Sequence, residues 1–401
     1  MNLFISAGEP SGDAHGARLV EAMGAMRPDV QCTGFGGEKM ARAGCRLLHD
    51  MTPLALMFFL RVLMRLPTFL RLLRQASQFF RDNQVDAVVL IDYPGFNWCI
   101  ARRAKRFGIP VFYYGAPQIW AWAPWRVRKL RRLVDYILCQ LPFEPAWYAE
   151  RNCAATYVGH PFFDDAAEEP LNQKFLDQFD ADEKWLVLLP GSRRAEVEAN
   201  ADCFLHAANL VRKKHPSISV AVACYSDEQA AFVRERASEV SPNVAVHSGK
   251  TRELIHGAHV CIACSGSVSL QLLAERKPTV IYFRITRLTW LFKQLLMRVK
   301  YITLVNLFWI SDIRRNSWRT FDPDARGAEP VPMPEYLTTS PCPEKLAARV
   351  LLWLDDFVAR GRTIATLDKL ARQHAVPGAT QRTAEFICRV LESDAVRTKA
   401  A

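Results

Sequence analysis

Short apolar runs recur along this chain, and most end abruptly in a glycine- or proline-bearing turn. In the first half they occupy residues 2–6, 31–37, 86–91, 109–114, 136–139 and 156–158. In the second half they occupy 185–189, 218–224, 244–247, 260–263 and 279–283. Continuous rather than alternating apolar runs predict strands covered on both faces, as in a parallel sheet. Between them lie helix-compatible stretches, at 14–26, 98–107, 195–214 and 227–240. This strand-helix rhythm predicts an α/β fold. It breaks at 166–184, an acidic segment without strong periodicity. At 401 residues the chain also exceeds one ordinary core. The expected organisation is a first domain at 1–165, a linker at 166–184, a second domain at 185–360 and a helical tail at 361–401. Helices are expected at 343–360 and 380–392. The stretch 312–343, rich in Pro, Arg and Asp, is expected to be irregular.

Two segments combine large apolar residues with positive charge alone, 54–74 and 284–300. Arg61 and Arg65 share one helical face, as do Arg287 and Arg298. The first segment reads either as a core helix with arginines reaching out or as an element at a membrane interface. The net charge of +11, from 52 basic and 41 acidic residues, points to an anionic partner. Nucleic acid is not expected, because the basic run from Arg126 to Arg132 has no recognised binding module around it. The eleven cysteines are scattered, and the single C-x-x-C, Cys261 and Cys264, lies in an apolar run. Buried free thiols in a cytoplasmic protein are expected, with no metal. No signal peptide and no spanning helix of ~20 apolar residues is expected.

The turns carry the candidate chemistry. Leu189-Pro190-Gly191-Ser192-Arg193 ends a strand and opens a helix, so its free N–H groups suit a phosphate. Arg193 or Arg194 adds a guanidinium grip. Ser265-Gly266-Ser267 repeats the arrangement. In the first half, one strand runs into Gly8-Glu9-Pro10-Ser11-Gly12-Asp13 and another ends at Asp92. The first turn lacks the spacing of a dinucleotide fingerprint.

With these segments in order, the chain resembles the lipid-A-disaccharide synthases, inverting glycosyltransferases of the GT-B fold. The matching segments are 7–13, 34–37, 91–97, 120–122, 141–144, 157–161, 189–193 and 265–267, within residues 1 to about 309. The resemblance implies two Rossmann-like domains whose parallel sheets face a central cleft. It implies UDP-2,3-diacylglucosamine as donor and 2,3-diacylglucosamine 1-phosphate as acceptor, joined by a β-1,6 linkage with release of UDP. No cofactor is implied.

On this basis Asp92 is the expected base, and a simple turn cap is the alternative. Glu9 and Asp13 are further catalytic candidates, with capping of the first loop as theirs. Gly191, Ser192, Arg193, Ser265, Gly266, Ser267, Gln271, Arg284 and Asn306 are expected around the UDP-sugar. Ser11, Gly12, Trp120 and Trp122 are expected at the acceptor or its acyl chains, core packing being the alternative for the tryptophans. Arg61, Arg65, Arg287 and Arg298 are expected to meet the inner face of the cytoplasmic membrane, where the protein would associate peripherally. The tail packs back on the first domain or onto a partner chain in a homodimer.

Two features depart from the family. Gln271 stands where a glutamate usually meets the donor ribose, and some twenty extra residues precede Pro334-Glu335. A nucleotide-sugar epimerase or hydrolase, or a non-catalytic membrane-binding relative, are the alternative functions.

Overall fold

The computed structural model describes residues 1–51, 66–168, 170–178, 183–297, 299–310 and 320–400. The chain forms two compact units, one from residues 1–164 with 377–401 and one from 165–376.

The first unit holds a parallel sheet of β1 (Asn2–Ala7), β2 (Gln31–Gly36), β3 (Arg46–Asp50), β4 (Ala87–Ile91), β5 (Val111–Tyr114), β6 (Tyr136–Cys139) and β7 (Ala155–Tyr157). Among the described residues its order is β3-β2-β1-β4-β5-β6-β7. β4, Ala-Val-Val-Leu-Ile, is buried at every position. An unbroken apolar run is what a central strand with helices on both faces requires. Each such large aliphatic side chain contributes roughly 1.5–3 kcal/mol through its burial.

The final helix, Ala379–Ala400, closes this unit. Ala384, Ile387 and Cys388 enter the same core as Leu3, Leu19 and Met23. The helix start is fixed by Asp164, whose carboxylate accepts from the N–H groups of Gly378 (2.6 Å), Ala379 (3.1 Å) and Thr380 (2.9 Å) and from Thr380 Oγ1 (2.7 Å).

The second unit holds β8 (Trp185–Leu189), β9 (Ser219–Cys224), β10 (Ala245–Ser248), β11 (Val260–Cys264), β12 (Thr279–Arg284) and β13 (Glu335–Thr338). The described strands run in the order β10-β9-β8-β11-β12-β13, all parallel. Cys261 and Cys264 are buried free thiols in the central β11. Among the described residues no cluster of His, Cys, Asp or Glu is arranged to hold a metal. No described helix is long and apolar enough to cross a membrane.

Several elements differ from expectation. The first helix starts at Pro10 rather than near 14, with proline in its first turn, where the missing N–H costs nothing. β3 and β13 are additional strands. Both are short edge strands, and β3 is half-exposed, so neither leaves a continuous apolar run. The helix expected at 343–360 is two helices, Pro343–Asp355 and Phe357–His374. They break at Asp356, whose side chain caps the second through the Ala359 N–H at 2.9 Å. Within the expected tail, residues 361–376 belong to the second unit and only 377–401 to the first.

Candidate active site

In both sheets the strand order reverses once, between β1 and β4 and between β8 and β11. Crevices at the carboxyl ends of such strand pairs are where open α/β sheets bind ligands. Ala7 is in register with Ile91, so the Gly8–Asp13 turn and Asp92 emerge side by side. Ala263 is in register with Leu189, which does the same for the Ser265 and Gly191 turns.

At the first switch point the backbone is strained. Asp92 and Tyr93 have φ of +45° and +43°, a left-handed conformation that non-glycine residues rarely adopt. Their surroundings enforce it. The Asp92 carbonyl accepts from Asn97 Nδ2 (2.8 Å) and the Tyr113 hydroxyl (2.7 Å), and the Asp92 N–H donates to the Tyr114 carbonyl (3.3 Å). Asn97 is fully buried and also ties β1 to β4, accepting from Ser6 Oγ (2.7 Å) and donating to the carbonyls of Ser6 (3.2 Å) and Ile91 (3.1 Å). Gly8 is required because the Tyr93 ring lies where a side chain would be. A Cβ on Gly8 would fall 2.2 Å from Tyr93 Cδ1.

This bonding uses the Asp92 backbone and leaves its side chain free. The carboxylate has no hydrogen-bond partner among the described residues. Burial, with a smaller contribution from the Glu9 charge, pushes its pKa up to about 7. An unpaired carboxylate titrating near neutrality is suited to accept a proton.

The second switch point is built the opposite way. Gly191 has φ of +138°, and a Cβ there would lie 2.6 Å from Glu196 Cβ. Asn200 Nδ2 donates to the Pro190 carbonyl at 2.8 Å and fixes the turn. The turn's N–H groups face the positive end of the helix Arg194–Lys214. Glu196 occupies them, Oε2 accepting from Ser192 N (3.1 Å) and Arg193 N (3.2 Å) while Oε1 pairs with the Arg193 guanidinium (2.8 Å). The Arg193 side chain remains 82% exposed. On the adjacent turn, Gly266 and Ser267 are exposed, and Ser265 Oγ donates to the Ile302 carbonyl at 3.4 Å. Gln271 is half-buried on the helix that follows, and Arg284 is exposed at the end of β12. What the arrangement leaves for an anion is the exposed Arg193 guanidinium, ion-paired with Glu196, and the N–H groups of Gly266 and Ser267 on the adjacent turn.

A family model described as lipid-A-disaccharide synthetase matches residues 3–317. The chain belongs to that family. The lipid-A-disaccharide synthase of Myxococcus xanthus is 31% identical over 394 residues, 97% of each chain. That of Methylobacillus flagellatus is 31% identical over 392 residues, 96% of this chain and 98% of the other. Among solved structures, a putative UDP-N-acetylglucosamine 2-epimerase from Listeria monocytogenes has a TM-score of 0.63 at 10% identity, covering 98% of this chain and 96% of that one. The calicheamicin glycosyltransferase has a TM-score of 0.56 at 14% identity, covering 98% of both. At such identities the common ground is the fold, the GT-B architecture of the family.

Within this synthetase family member, several expected residues have other tasks. Asp13 is not poised as a base. Its carboxylate is buried and accepts from the N–H groups of Gly37 (2.7 Å), Lys39 (3.1 Å) and Met40 (3.1 Å), so it caps the helix Glu38–Arg42. Asn306 likewise has protein partners. It is buried, donates to the Met333 carbonyl (2.7 Å) and Glu335 (2.9 Å), and accepts from Met333 N (3.1 Å).

Trp120 belongs to the core, its Nε1 donating to Glu144 at 3.0 Å and its ring edge-on to Phe143. Trp122 is exposed, with the Arg126 guanidinium 4.3 Å from its ring centroid. Gly12 is buried against Ala7 and Ile91, which lets the first helix approach the strand ends, whereas Ser11 and Glu9 are exposed. Arg287 opens an amphipathic helix that exposes Leu288, Leu291 and Phe292. Arg61, Arg65 and Arg298 lie outside the described residues.

Three further glutamates, buried or turn-bound, fix the backbone of their own units. Glu144 accepts from Trp120 and Leu141, and burial pushes its pKa up to about 7. Glu335 accepts from the N–H groups of Ile302 (2.7 Å) and Thr303 (3.0 Å) and is likewise pushed up to about 7 by burial. Glu196, three residues after Arg193, closes a capping box whose N-cap is an arginine rather than the usual Ser or Thr, so the sequence signature does not reveal it.

Proposed function

We propose that this chain transfers 2,3-diacylglucosamine from its UDP conjugate to the 6-hydroxyl of 2,3-diacylglucosamine 1-phosphate, with inversion, in lipid A biosynthesis. Membership of the lipid-A-disaccharide synthetase family supports the substrate pair. The observation that carries the mechanism is the unpaired, partly buried Asp92 carboxylate at the first switch point.

Asp92 takes the acceptor hydroxyl proton while that oxygen attacks the anomeric carbon. The bond from that carbon to the diphosphate oxygen breaks, and its electron pair leaves on UDP. The Arg193 guanidinium and the free N–H groups of Gly266 and Ser267 neutralise the leaving charge. Gln271 can accept and donate toward the donor ribose without charge assistance. No step requires a metal, since these groups carry the diphosphate charge.

Both substrates are acylated, so the enzyme must draw them from a lipid surface. Arg287 beside Leu288, Leu291 and Phe292 supports peripheral docking to an anionic membrane face.

The test is incubation with the UDP-sugar, with and without the sugar phosphate, following UDP and disaccharide. Disaccharide formed only with both substrates is expected. UDP released without acceptor favours hydrolysis, and no turnover favours a binding protein.

A further inference from the structure

The scheme above gives the acceptor hydroxyl one partner, yet the geometry around Gly115 supplies a second. Gly115 directly follows β5, with φ of +66°, and its N–H donates to Leu138 on β6 at 3.2 Å. A Cβ on Gly115 would lie 2.7 Å from Asp92 Oδ1 and 2.9 Å from Gln140 Nε2. Two polar groups therefore converge on one bare stretch of backbone. The sheet order explains it, because Asp92, Gly115 and Gln140 each directly follow one of the adjacent strands β4, β5 and β6. The Gln140 amide is half-buried and, like the Asp92 carboxylate, has no hydrogen-bond partner among the described residues. A half-buried amide with an unused N–H beside a carboxylate is placed to donate to an oxygen that sits between them.

We propose that Gln140 is a catalytic residue that donates from Nε2 to the acceptor hydroxyl oxygen while that hydroxyl donates to Asp92 Oδ1. This rests on the reading of Asp92 as the base. As the proton moves to Asp92, negative charge develops on the acceptor oxygen and the Gln140 N–H meets it. The new carbon–oxygen bond then forms as UDP departs with its electron pair. The amide is set in advance, so it does not have to reorganise during the step. The carboxamide also fixes which hydroxyl is used, because only an oxygen placed between both groups is activated.

Gln140→Met keeps the length of the side chain and removes the N–H. Its kcat is expected to fall by about 10²–10³-fold, the effect of losing one such donor, with UDP affinity unchanged. Gln140→Glu places a second carboxylate beside Asp92. The titratable groups already facing Asp92 are Glu9, Tyr113 and Tyr114, with Tyr93 adjacent in sequence. Added negative charge disfavours ionisation, so the ascending limb of the pH profile is expected to move up by about one unit. A Met variant that keeps most of its kcat, or that loses UDP binding in proportion, overturns the proposal. So does a Glu variant whose limb stays in place. Failure of the parent reading shows separately, as an unaltered protein that makes no disaccharide.

Discussion

At the switch point of the first unit, a strand ends in a carboxylate that no described protein donor answers. At that of the second, a strand ends in N–H groups that a protein carboxylate, Glu196, already answers. The same supersecondary pattern has been loaded with opposite charge. The difference lies in what the backbone does. At Asp92 two left-handed residues are held by Asn97 and Tyr113, which use the carbonyl and leave the side chain open. At Gly191 a glycine takes the left-handed position, and the side chains that follow fold back onto the turn. One end is fit to take a proton, and at the other the exposed Arg193 guanidinium and the adjacent Gly266–Ser267 turn remain to meet an anion.

The largest expected consequence falls on Asp92. Asp92→Asn should lower transfer by about 10²–10⁴-fold, the range of a general base, while UDP binding persists. Transfer at the original rate would remove Asp92 from the mechanism. Next comes Arg193→Met, which removes the proposed charge-assisted contact to the diphosphate, worth roughly 1.5–3 kcal/mol. UDP affinity measured by calorimetry should weaken by one to two orders of magnitude, and an unchanged affinity would leave the guanidinium a surface charge.

Asp13 sharpens the contrast, since it is a carboxylate near the same strand ends with all its work done for the backbone. Asp13→Ala should cost about 2 kcal/mol in denaturant unfolding, as a lost helix cap does, with kcat per folded molecule retained. Loss of kcat without loss of stability would return Asp13 to the chemistry.

Glu144 and Glu335 give a pH signature of stability. Both are held at about 7 by burial, above the 4.5 of the exposed group. The folded state therefore binds more protons than the unfolded one between these values, and stability declines as pH rises through that window. Glu144→Gln should flatten part of this decline in thermal midpoints taken from pH 4 to 8. An equally steep decline would show that Glu144 ionises normally.

Smallest is Glu9→Gln. Its charge adds to burial in raising the Asp92 pKa, so removing it should move the activity limb to lower pH by less than about one unit. A shift upward would contradict the assignment.

Much of this was legible in the chain. The buried central strands read directly as unbroken apolar runs, and the turns after them carried the glycines and Asp92. The short edge strands β3 and β13 did not, because their half-exposed or very brief sequences resemble loops. Polar residues near turns were harder to sort. Asp13 and Asn306 looked like site residues by position, yet their partners lie in segments more than twenty residues away: backbone groups near Gly37 for Asp13, and the Met333 backbone and Glu335 carboxylate for Asn306. Glu335 and Gln140 acquire roles only through contacts between separate segments, which spacing along a chain does not encode. Arg287 was legible as a cation in greasy surroundings, and its place on an exposed amphipathic face came from packing.

In the proposed mechanism an unpaired carboxylate at the end of β4, its pKa raised by burial to about 7, takes the acceptor proton. The direct measurement is kcat/KM for the acceptor as a function of pH, at saturating donor. Activity should rise with pH through about 7, as Asp92 ionises, with no such limb in Asp92→Asn. A profile that is flat across that range, or a limb that survives in Asp92→Asn, would contradict it.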